Sequence, residues 1–151
     1  FGSCRRCHHS VMRMPDNLTP AQRSYCMSRI KGADTGLEMR VRSELHRSGL
    51  RFRKHMRQLP GKPDVVFTKV KVAVFVDGDF WHGYRFPSWE HKVSAFWKTK
   101  ITKNRERDRR VHRKLRQMGW TVIRVWQHDL ELDFQGSIER IVSCVQEARC
   151  R

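Results

Sequence analysis

The sequence LPGKPDVVFTKVKVAVFVDGDFWH, at positions 59–82, decides the fold of this chain. Its two apolar runs, 65–67 and 72–76, are short and rich in valine, a pattern that indicates buried strands. The Pro60-Gly61 pair before the first run is typical of a turn, and a polar Asp-Gly-Asp sequence follows the second. We therefore expect two neighbouring strands at the centre of the domain.

Acidic side chains lie at the ends of both expected strands. Asp64 begins the first strand, Asp77 and Asp79 follow the second, and His82 comes three residues after Asp79. Carboxylate oxygens are the ligands that Mg²⁺ prefers, and an imidazole can take a proton from water. The pattern favours a metal-dependent hydrolytic site. The alternative is that Asp64 caps a turn and that 77–79 is a polar loop.

The charge of the chain indicates a nucleic-acid partner. Its 151 residues include 32 Lys and Arg against 15 Asp and Glu, a formal net charge of +17. This excess predicts binding to phosphates with a steep salt dependence; an anionic membrane surface is the alternative. No apolar run approaches the roughly 20 residues that cross a bilayer. Five scattered cysteines do not predict disulfides, and we expect a cytoplasmic, nucleoid-associated protein.

The first residues carry a weak zinc pattern. Cys4 and Cys7 form a Cys-x-x-Cys pair followed by two histidines, but no second pair follows at the spacing of a zinc finger. We expect residues 1–15 to be a disordered or non-native segment and residues 16–151 to form a single domain.

Helix and strand patterns flank the central stretch. Thr19 with Gln22, and Thr35 with Glu38, have the spacing of capping boxes and predict two helices. The other predicted elements are a strand from Leu50, a helix over 93–118, a strand over 120–126 and a helix that begins at Ser137. This order predicts an α/β fold in which helices flank both faces of a mixed central sheet.

Several segments together resemble one nuclease family. Asp64 and Asp77 follow the spacing of PD-(D/E)xK nucleases, although the acid-x-Lys part of that pattern is missing. The segments NLTPAQRSYCMSRIKGADTGLEMRVRSEL, LPGKPDVVF, VFVDGDFWHG, FWKTKITKNRERDRR and LRQMGWTVIRVW resemble, in order, the very-short-patch repair (Vsr) endonuclease family over about residues 16–130. The resemblance implies a restriction-endonuclease-like fold, Mg²⁺ dependence, and nicking of one DNA strand 5′ to the thymine of a T:G mismatch.

The resemblance assigns roles to individual residues. Asp64 matches the family's metal-binding aspartate, and His82 matches its essential histidine, the general base or water activator. Glu38 matches an acidic residue that supports the site, and Val76 matches a position that acts through its backbone carbonyl. Asp77 stands where many relatives have a second histidine, and an acid there can bind metal or orient a water.

A second departure concerns a structural zinc that the family often holds with cysteines and histidines. The matching positions in this chain are Asp79, Tyr84, Phe86 and His128. Only His128 remains a good ligand among them, so we expect no zinc at this place. We expect aromatic packing to hold the loop 83–87 instead.

DNA-binding positions also follow from the resemblance. Phe80, Trp81 and Trp97 match aromatic residues that wedge into DNA beside the mismatch; the alternative for each is a place in the core. Lys100 and Asn104 match residues that hydrogen-bond the mismatched pair. The remaining candidates, four for phosphates and two for the minor groove, are Arg105, Arg107, Arg109, Arg110, Met27 and Arg29.

The resemblance implies a monomeric mismatch endonuclease that uses Mg²⁺, or Mn²⁺ in its place, on double-stranded DNA with a T:G mismatch. We expect no membrane partner. Two alternatives are open. Homing and defence nucleases with similar domains cut perfectly paired DNA, and the altered Asp77 fits that possibility. The other is a module that binds mismatched DNA without cutting it. Asp64 and His82 argue against such a module, because binding alone does not require them.

Overall fold

The computed structural model describes residues 19–29 and 35–150. In chain order, the helices are α1 (Pro20–Arg29), α2 (Gly36–Arg47), α3 (Ala95–Gln117), α4 (Gln127–Leu132) and α5 (Phe134–Arg149). The strands are β1 (Val65–Phe67), β2 (Val72–Asp77) and β3 (Thr121–Trp126), and two 3₁₀ helices span Phe86–Ser88 and Glu90–Lys92. The predictions for residues 1–15, with their Cys-x-x-Cys pair, lie outside the described residues.

β2 is the central strand of the described sheet, which has the order β1-β2-β3. β1 runs antiparallel to β2, with Val65 opposite Val74, and β3 runs parallel to β2, with Asp77 opposite Trp126. A short turn joins the antiparallel pair, whereas α3 lies in the longer connection that a parallel pair requires. Because β1 and β2 are antiparallel, Asp64, one residue before β1, lies beside the end of β2.

Helices pack against both faces of this sheet, because successive side chains of a strand point to opposite sides. On one face, Val74 belongs to a buried cluster with Leu45 of α2 and Ile141 of α5. On the other face, Phe75 packs with Leu115 of α3. Each fully buried Val or Leu contributes roughly 1.5–3 kcal/mol to folding. The unbroken apolar run of β2 is therefore explained by burial on both sides, and the predicted fold class is confirmed.

The first predicted capping box is complete, and in the second the side chains of Thr35 and Glu38 bond each other instead of completing the reciprocal pair. Thr19 Oγ1 accepts a hydrogen bond from Gln22 N–H at 3.3 Å, and Gln22 Oε1 accepts one from Thr19 N–H at 2.9 Å. Thr35 Oγ1 accepts from Glu38 N–H at 3.3 Å and donates to Glu38 Oε1 at 3.0 Å. The second box fixes the first turn of α2, where the Glu38 side chain is buried.

α3 is long and strongly basic. Its 23 residues contain ten Lys and Arg and two acids. Trp97, Ile101 and Leu115 lie on its buried side, so most of the positive charge faces solvent. In the described parts of the chain, no helix is long and apolar enough to cross a membrane.

The predicted strand from Leu50 is wrong. This segment forms only an isolated antiparallel bridge, in which Arg53 and Val66 exchange backbone hydrogen bonds of 2.9 and 2.8 Å. Two residues later, His55 has a φ of 50°, a left-handed conformation that no strand contains. The chain therefore turns away from β1 before a ladder can form.

The predicted start of the last helix at Ser137 is also wrong. α5 begins at Phe134, because the Asp133 carboxylate accepts the Gly136 N–H at 2.9 Å and caps the helix three residues before Ser137. Asp133 also follows α4, a short helix that the sequence patterns did not indicate. Ser137 is a buried residue inside α5.

Candidate active site

Asp64 lies at the entrance to β1 with its side chain across the end of β2. The preceding turn contains Gly61, whose φ of 77° is a conformation that glycine adopts without strain. Asp64 N–H donates to Val74 O at 3.0 Å, and Asp64 Oδ2 accepts from Val76 N–H at 2.7 Å. The carboxylate is therefore tied to the strand end at which the sequence placed it.

Burial raises the pKa of Asp64 from 3.8 to about 6, although the hydrogen bond from Val76 opposes this change. The carboxylates of Glu38 and Asp77 raise the pKa further, and Arg42 lowers it. The fold thus brings together the three acidic residues that the sequence predicted for the site. A half-buried carboxylate among other carboxylates is a group whose charge a cation stabilises.

Arg42 connects Glu38 to Asp64, and the sequence patterns did not indicate it. Its Nη2 lies 3.0 Å from Glu38 Oε2, and its Nε donates to the backbone carbonyl of Asp64 at 3.3 Å. The side chains of Arg42 and Glu38 are 9% and 7% exposed. Because buried charges need partners, the pair holds α2 against the start of β1. The signal in the sequence is the spacing of Glu38 and Arg42 by one helical turn.

His82 is oriented by two carboxylates. Its Nδ1 lies 2.6 Å from Asp108 Oδ2 and 3.3 Å from Asp77 Oδ1. Burial lowers the pKa of His82, but the hydrogen bond with Asp108 and the charges of Asp77 and Asp108 outweigh it, so the pKa is raised. With Nδ1 turned toward these carboxylates, Nε2 is the ring nitrogen left for a substrate.

Asp108 is the second site residue that the sequence patterns did not indicate. It lies within the basic helix α3 and is 8% exposed. Burial raises the pKa of Asp108, but the hydrogen bond and charge of His82 outweigh it and lower the pKa. The side chain is therefore a carboxylate at neutral pH. The available signal is an acid inside the basic run RERDRR, which also contains Glu106.

Asp77 is a buried carboxylate, 4% exposed, with partners on both oxygens. Oδ1 faces His82, and Oδ2 accepts a hydrogen bond from Arg124 Nε at 2.5 Å. The structure therefore places Asp77 behind His82, where it can orient the ring. Direct metal binding by Asp77 stays a prediction.

The donors around Asp64 suit a hard divalent cation. They are the carboxylate oxygens of Asp64 and of Glu38, whose charge acts on Asp64. The backbone carbonyl of Val76, whose N–H binds Asp64 Oδ2, stays a predicted ligand. Among the described residues, no three His, Cys, Asp or Glu side chains are grouped as a complete metal cage. Mg²⁺ commonly uses one or two carboxylates and completes its shell with waters and substrate phosphates. Asp64 and Val76 fit that mode of binding.

An aromatic cluster follows the end of β2. The Phe80 ring lies 5.8 Å from that of Trp89 and meets Trp81 and Trp97 edge-on at 5.3 and 5.4 Å. Phe80 and Trp81 are half-buried, whereas Trp97 is 9% exposed and packs with Ile101. Trp97 therefore occupies the core position that was its alternative. DNA contact by Phe80 and Trp81 stays a prediction.

Asn104 supports this cluster from α3. Its Nδ2 donates to the backbone carbonyl of Trp81 at 3.0 Å, across 23 residues of sequence. The side-chain amide therefore fixes the segment that carries the Trp81 ring. Contact between Asn104 and a base pair stays a prediction.

The basic candidates lie along α3. Lys100, Arg107, Arg109 and Arg110 are exposed, and Arg105 is half-buried with its guanidinium 5.7 Å from the centre of the Phe86 ring. A cleft of about 540 Å³ on the same helix is lined by Arg109, His112, Arg113, Arg116 and Gln117. For Met27 and Arg29, the backbone lies in α1, but their side chains lie outside the described part of the chain.

Comparisons with known proteins agree with this geometry. The family model described as DNA mismatch endonuclease Vsr matches residues 15–88. Type II nicking enzyme V.NmeDIP of Neisseria meningitidis serogroup C is 38% identical over 138 residues, 87% of this chain and 91% of that protein. V.XorIIP of Xanthomonas oryzae pv. oryzae, with the same description, is 41% identical over 128 residues, 83% of this chain and 93% of that protein. The DNA mismatch endonuclease Vsr of Escherichia coli K12 is 41% identical over 118 residues, 76% of this chain and 74% of that protein.

The chain belongs to the DNA mismatch endonuclease Vsr family. It is therefore a DNA endonuclease, and its mixed sheet between helices agrees with the restriction-endonuclease-like fold of Vsr proteins. The resemblance predicted from the sequence is confirmed.

The loop that the Vsr resemblance linked to zinc makes other contacts in this chain. Asp79 Oδ1 lies 2.8 Å from His128 Nδ1. The Tyr84 ring lies 4.1 Å from the His128 ring and 5.0 Å from the Trp126 ring, and Phe86 is 1% exposed. The prediction that aromatic packing holds this loop is confirmed.

Gly83 brings the same loop directly against α3. Its φ is 64°, and a Cβ atom added there would lie 2.7 Å from Ile101 Cγ2 and 2.8 Å from Arg105 Cδ. A larger residue would separate the loop from the helix. The Vsr-type site thus rests on close contact between the end of β2, its loop and α3.

Proposed function

We propose that this Vsr-family endonuclease nicks one strand of double-stranded DNA 5′ to the thymine of a T:G mismatch, in a reaction that requires Mg²⁺. Such pairs arise when 5-methylcytosine deaminates. The observation that carries the proposal is the carboxylate-oriented imidazole of His82 beyond the strand end that also holds the half-buried carboxylate of Asp64. The relatives described as nicking enzymes and as a DNA mismatch endonuclease support it.

Asp64 and the Val76 carbonyl would hold the metal ion. Bound Mg²⁺ supplies Lewis-acid stabilisation of the negative charge that develops on the phosphate and on the leaving 3′ oxygen. The role of Glu38 and Arg42 is to hold Asp64 in place, through the 3.0 Å ion pair and the hydrogen bond from Arg42 to the Asp64 carbonyl.

His82 activates the attacking water. Nδ1–H donates to Asp108, which fixes the tautomer whose Nε2 lone pair can accept a proton. As the water oxygen bonds to phosphorus, its proton moves to Nε2, the P–O3′ bond breaks, and the 3′ oxygen takes a proton from solvent. Asp77 and Asp108 stabilise the imidazolium that forms, as a buried aspartate does in hydrolytic triads.

Phe80 and Trp81 would open the DNA beside the mismatch. They directly precede His82 in the chain, so a wedge and a general base lie on one short segment. An apolar wedge compensates for the unstacking that it causes, and a mismatched pair is easier to open than a matched pair. Asn104 fixes this segment through the Trp81 carbonyl.

A strand-resolved nicking assay tests the proposal. Duplexes that differ only in one T:G, T:T or T:A pair would be incubated with wild-type protein in Mg²⁺ or in EDTA, beside Asp64→Ala and His82→Ala. His46→Ala, at an exposed position in the last turn of α2, is the matched control. We expect a Mg²⁺-dependent nick 5′ to the thymine in the T:G duplex, lost with Asp64→Ala and His82→Ala and retained with His46→Ala.

Two other outcomes would replace the proposal. Equal cutting of the T:A duplex would place the protein with homing or defence nucleases. Tight mismatch binding without a nick in Mg²⁺ or Mn²⁺ would mean that it is a mismatch-binding module.

A further inference from the structure

Arg124 is a charged residue within the parallel core strand β3, whose sequence is TVIRVW. Its register partner is Phe75 of β2, and the next residue on the same face of β2 is Asp77. Arg124 therefore lies on the side of the sheet that α3 covers. There its Nε donates to Asp77 Oδ2 at 2.5 Å.

Arg124 closes a ring of alternating charges with three residues of the site. Its Nη2 lies 3.5 Å from Asp108 Oδ2. His82 Nδ1 lies between the same two carboxylates, 2.6 Å from Asp108 and 3.3 Å from Asp77. Two basic groups thus alternate with two carboxylates, and each carboxylate contacts both basic groups.

The guanidinium is turned inward and is held there by packing. Its central carbon lies 4.4 Å from the centre of the Trp126 ring. The Nη2 atom is buried without a hydrogen-bond partner, so its 3.5 Å approach to Asp108 Oδ2 is an ion-pair contact and not a hydrogen bond. The side chain as a whole is 27% exposed. A guanidinium whose Nε and Nη2 atoms face carboxylates and whose flat face covers an indole is placed to organise neighbouring side chains, not to reach a DNA phosphate.

The two carboxylates need this cation. Asp77 and Asp108 are 4% and 8% exposed, so their mutual repulsion is weakly screened, and a nearby positive charge is needed to offset it. A planar guanidinium presents several donors in a fixed arrangement and can engage two carboxylates at once, whereas a lysine is a single point charge.

We propose that Arg124 is a positioning residue for strand cleavage: its guanidinium bridges Asp77 and Asp108, and the two carboxylates hold the His82 imidazole with Nε2 toward the scissile phosphate. This inference rests on the proposed role of His82 as the group that activates water. It gives Asp77 a function, because its carboxylate links the His82 imidazole to a positive group that β3 supplies.

Single-turnover kinetics of Arg124→Gln and Arg124→Lys test the inference. Arg149→Gln is the matched control, since it removes one positive charge from the exposed last turn of α5, the helix on the other face of the sheet. At saturating protein, we expect Arg124→Gln to lower the nicking rate by about 10²-fold, the size of effect that misplaced catalytic groups produce. Its Kd for the T:G duplex in EDTA should match that of wild type. Arg124→Lys should retain part of the wild-type nicking rate, and the control Arg149→Gln should retain all of it.

A second readout does not depend on activity. The His82 Nδ1 proton should give a hydrogen-bonded imidazole resonance in ¹⁵N-edited NMR spectra, assigned by its loss in His82→Gln. We expect this resonance to shift or vanish in Arg124→Gln and to persist in Arg149→Gln. If wild-type protein nicked no duplex, the proposed function would fail, and the NMR comparison would still decide the position of Arg124 in the ring.

Three results would overturn the inference. One is an unchanged nicking rate in Arg124→Gln. Another is weaker DNA binding with a lower salt slope and a normal rate at saturation, which would make Arg124 a phosphate ligand. The third is an unchanged His82 resonance in Arg124→Gln. If circular dichroism showed that Arg124→Gln does not fold, wild-type kinetics and spectra in Arg124→Lys would equally overturn it.

Discussion

His82 Nδ1 lies 2.6 Å from Asp108 Oδ2, so a side chain beyond the end of β2 shares a hydrogen bond with the middle of α3, across 26 residues of sequence. The bond fixes the orientation of the imidazole. Because Nδ1 is occupied, only Nε2 is left for substrate. It also joins the proposed water-activating group to the basic helix. DNA bound along α3 would therefore lie beside a ring that is already oriented.

Asp108→Asn should lower the single-turnover nicking rate by about 10²-fold or more, because an amide cannot stabilise the imidazolium that forms when water loses its proton. His82 must be neutral to accept that proton. The rate should therefore rise with pH through the pKa of His82, which Asp108 raises. In Asp108→Asn the rising limb should move to lower pH.

A rate profile at saturating protein from about pH 5 to about pH 9 measures both effects. Glu106→Gln, an exposed acid on the same helix, is the control and should keep the wild-type profile. If Asp108→Asn reached the wild-type maximal rate, and if its rate rose over the same pH range as that of wild type, Asp108 would not act on His82.

Asp64→Asn should stabilise the protein at neutral pH in EDTA while it abolishes nicking. The folded-state pKa of Asp64, about 6, lies above the ordinary value of 3.8. Protonation therefore favours the folded state, with an effect that is complete below about pH 3.8 and lost as the pH rises through about 6. Asparagine does not ionise, so the variant does not lose this stability as the pH rises. We expect a gain on the order of 1–2 kcal/mol near pH 7.5, or about 3–6 °C in Tm, and no gain near pH 4.

Thermal unfolding of both proteins in EDTA at several pH values would measure this gain. Asp133→Asn changes the same side chain at the exposed cap of α5 and serves as the control for the substitution itself. A lower Tm for Asp64→Asn near neutral pH would mean that partners stabilise the Asp64 carboxylate more than burial penalises it.

The residues that sequence patterns identified share a local signal. Asp64 and Asp77 border valine-rich runs, and burial of β2 on both faces makes those runs visible without knowledge of the fold. Glu38 follows a capping residue at a fixed spacing. Each of these positions depends on neighbours within a few residues, which is the information that a sequence displays directly.

The residues that were missed depend on long-range contacts. Asp108 acts through His82, 26 residues away, and Arg124 through Asp77, 47 residues away. In the sequence, Asp108 is an acid inside a basic helix, and Arg124 interrupts an apolar strand. The sequence does not show that these residues meet. Only the pairing of β2 with β3 and the packing of α3 against the sheet bring Arg124 close to both Asp77 and Asp108.

His128→Ala should loosen the loop 83–87 and lower the stability of the protein by about 1–3 kcal/mol. The substitution removes the 2.8 Å contact with Asp79 and the ring packing with Tyr84. Because only His128 among the four positions that the resemblance links to zinc is a good ligand, we expect a strong chelator to leave the wild-type Tm unchanged. Thermal unfolding with and without chelator measures both, and His91→Ala, exposed in the second 3₁₀ helix, is the control. A fall in wild-type Tm on chelation would contradict the metal-free loop.

Arg109→Gln should weaken binding to every duplex by a similar factor and reduce the slope of log K against log salt by about 0.9. Arg109 is exposed on α3 and lines its basic cleft, where contact with a phosphate carries no sequence information. Binding measured at several salt concentrations in EDTA gives the slope. Arg149→Gln should keep the wild-type slope, and an unchanged slope in Arg109→Gln would place the DNA elsewhere.

Trp81→Ala should reduce the preference for T:G over T:A duplexes by about 10-fold, since stacking of one base on an aromatic ring contributes about 1–3 kcal/mol. Trp81 is half-buried, and its backbone is fixed by Asn104. Affinities for the two duplexes in EDTA measure the preference.

Trp89→Ala is the matched control, because the Trp89 ring packs on Phe80 and its Nε1–H donates to Tyr84 O at 2.7 Å. It should lower stability and leave the ratio of the two affinities unchanged. Loss of the preference in Trp89→Ala but not in Trp81→Ala would mean that the cluster as a whole, and not the Trp81 ring, recognises the mismatch.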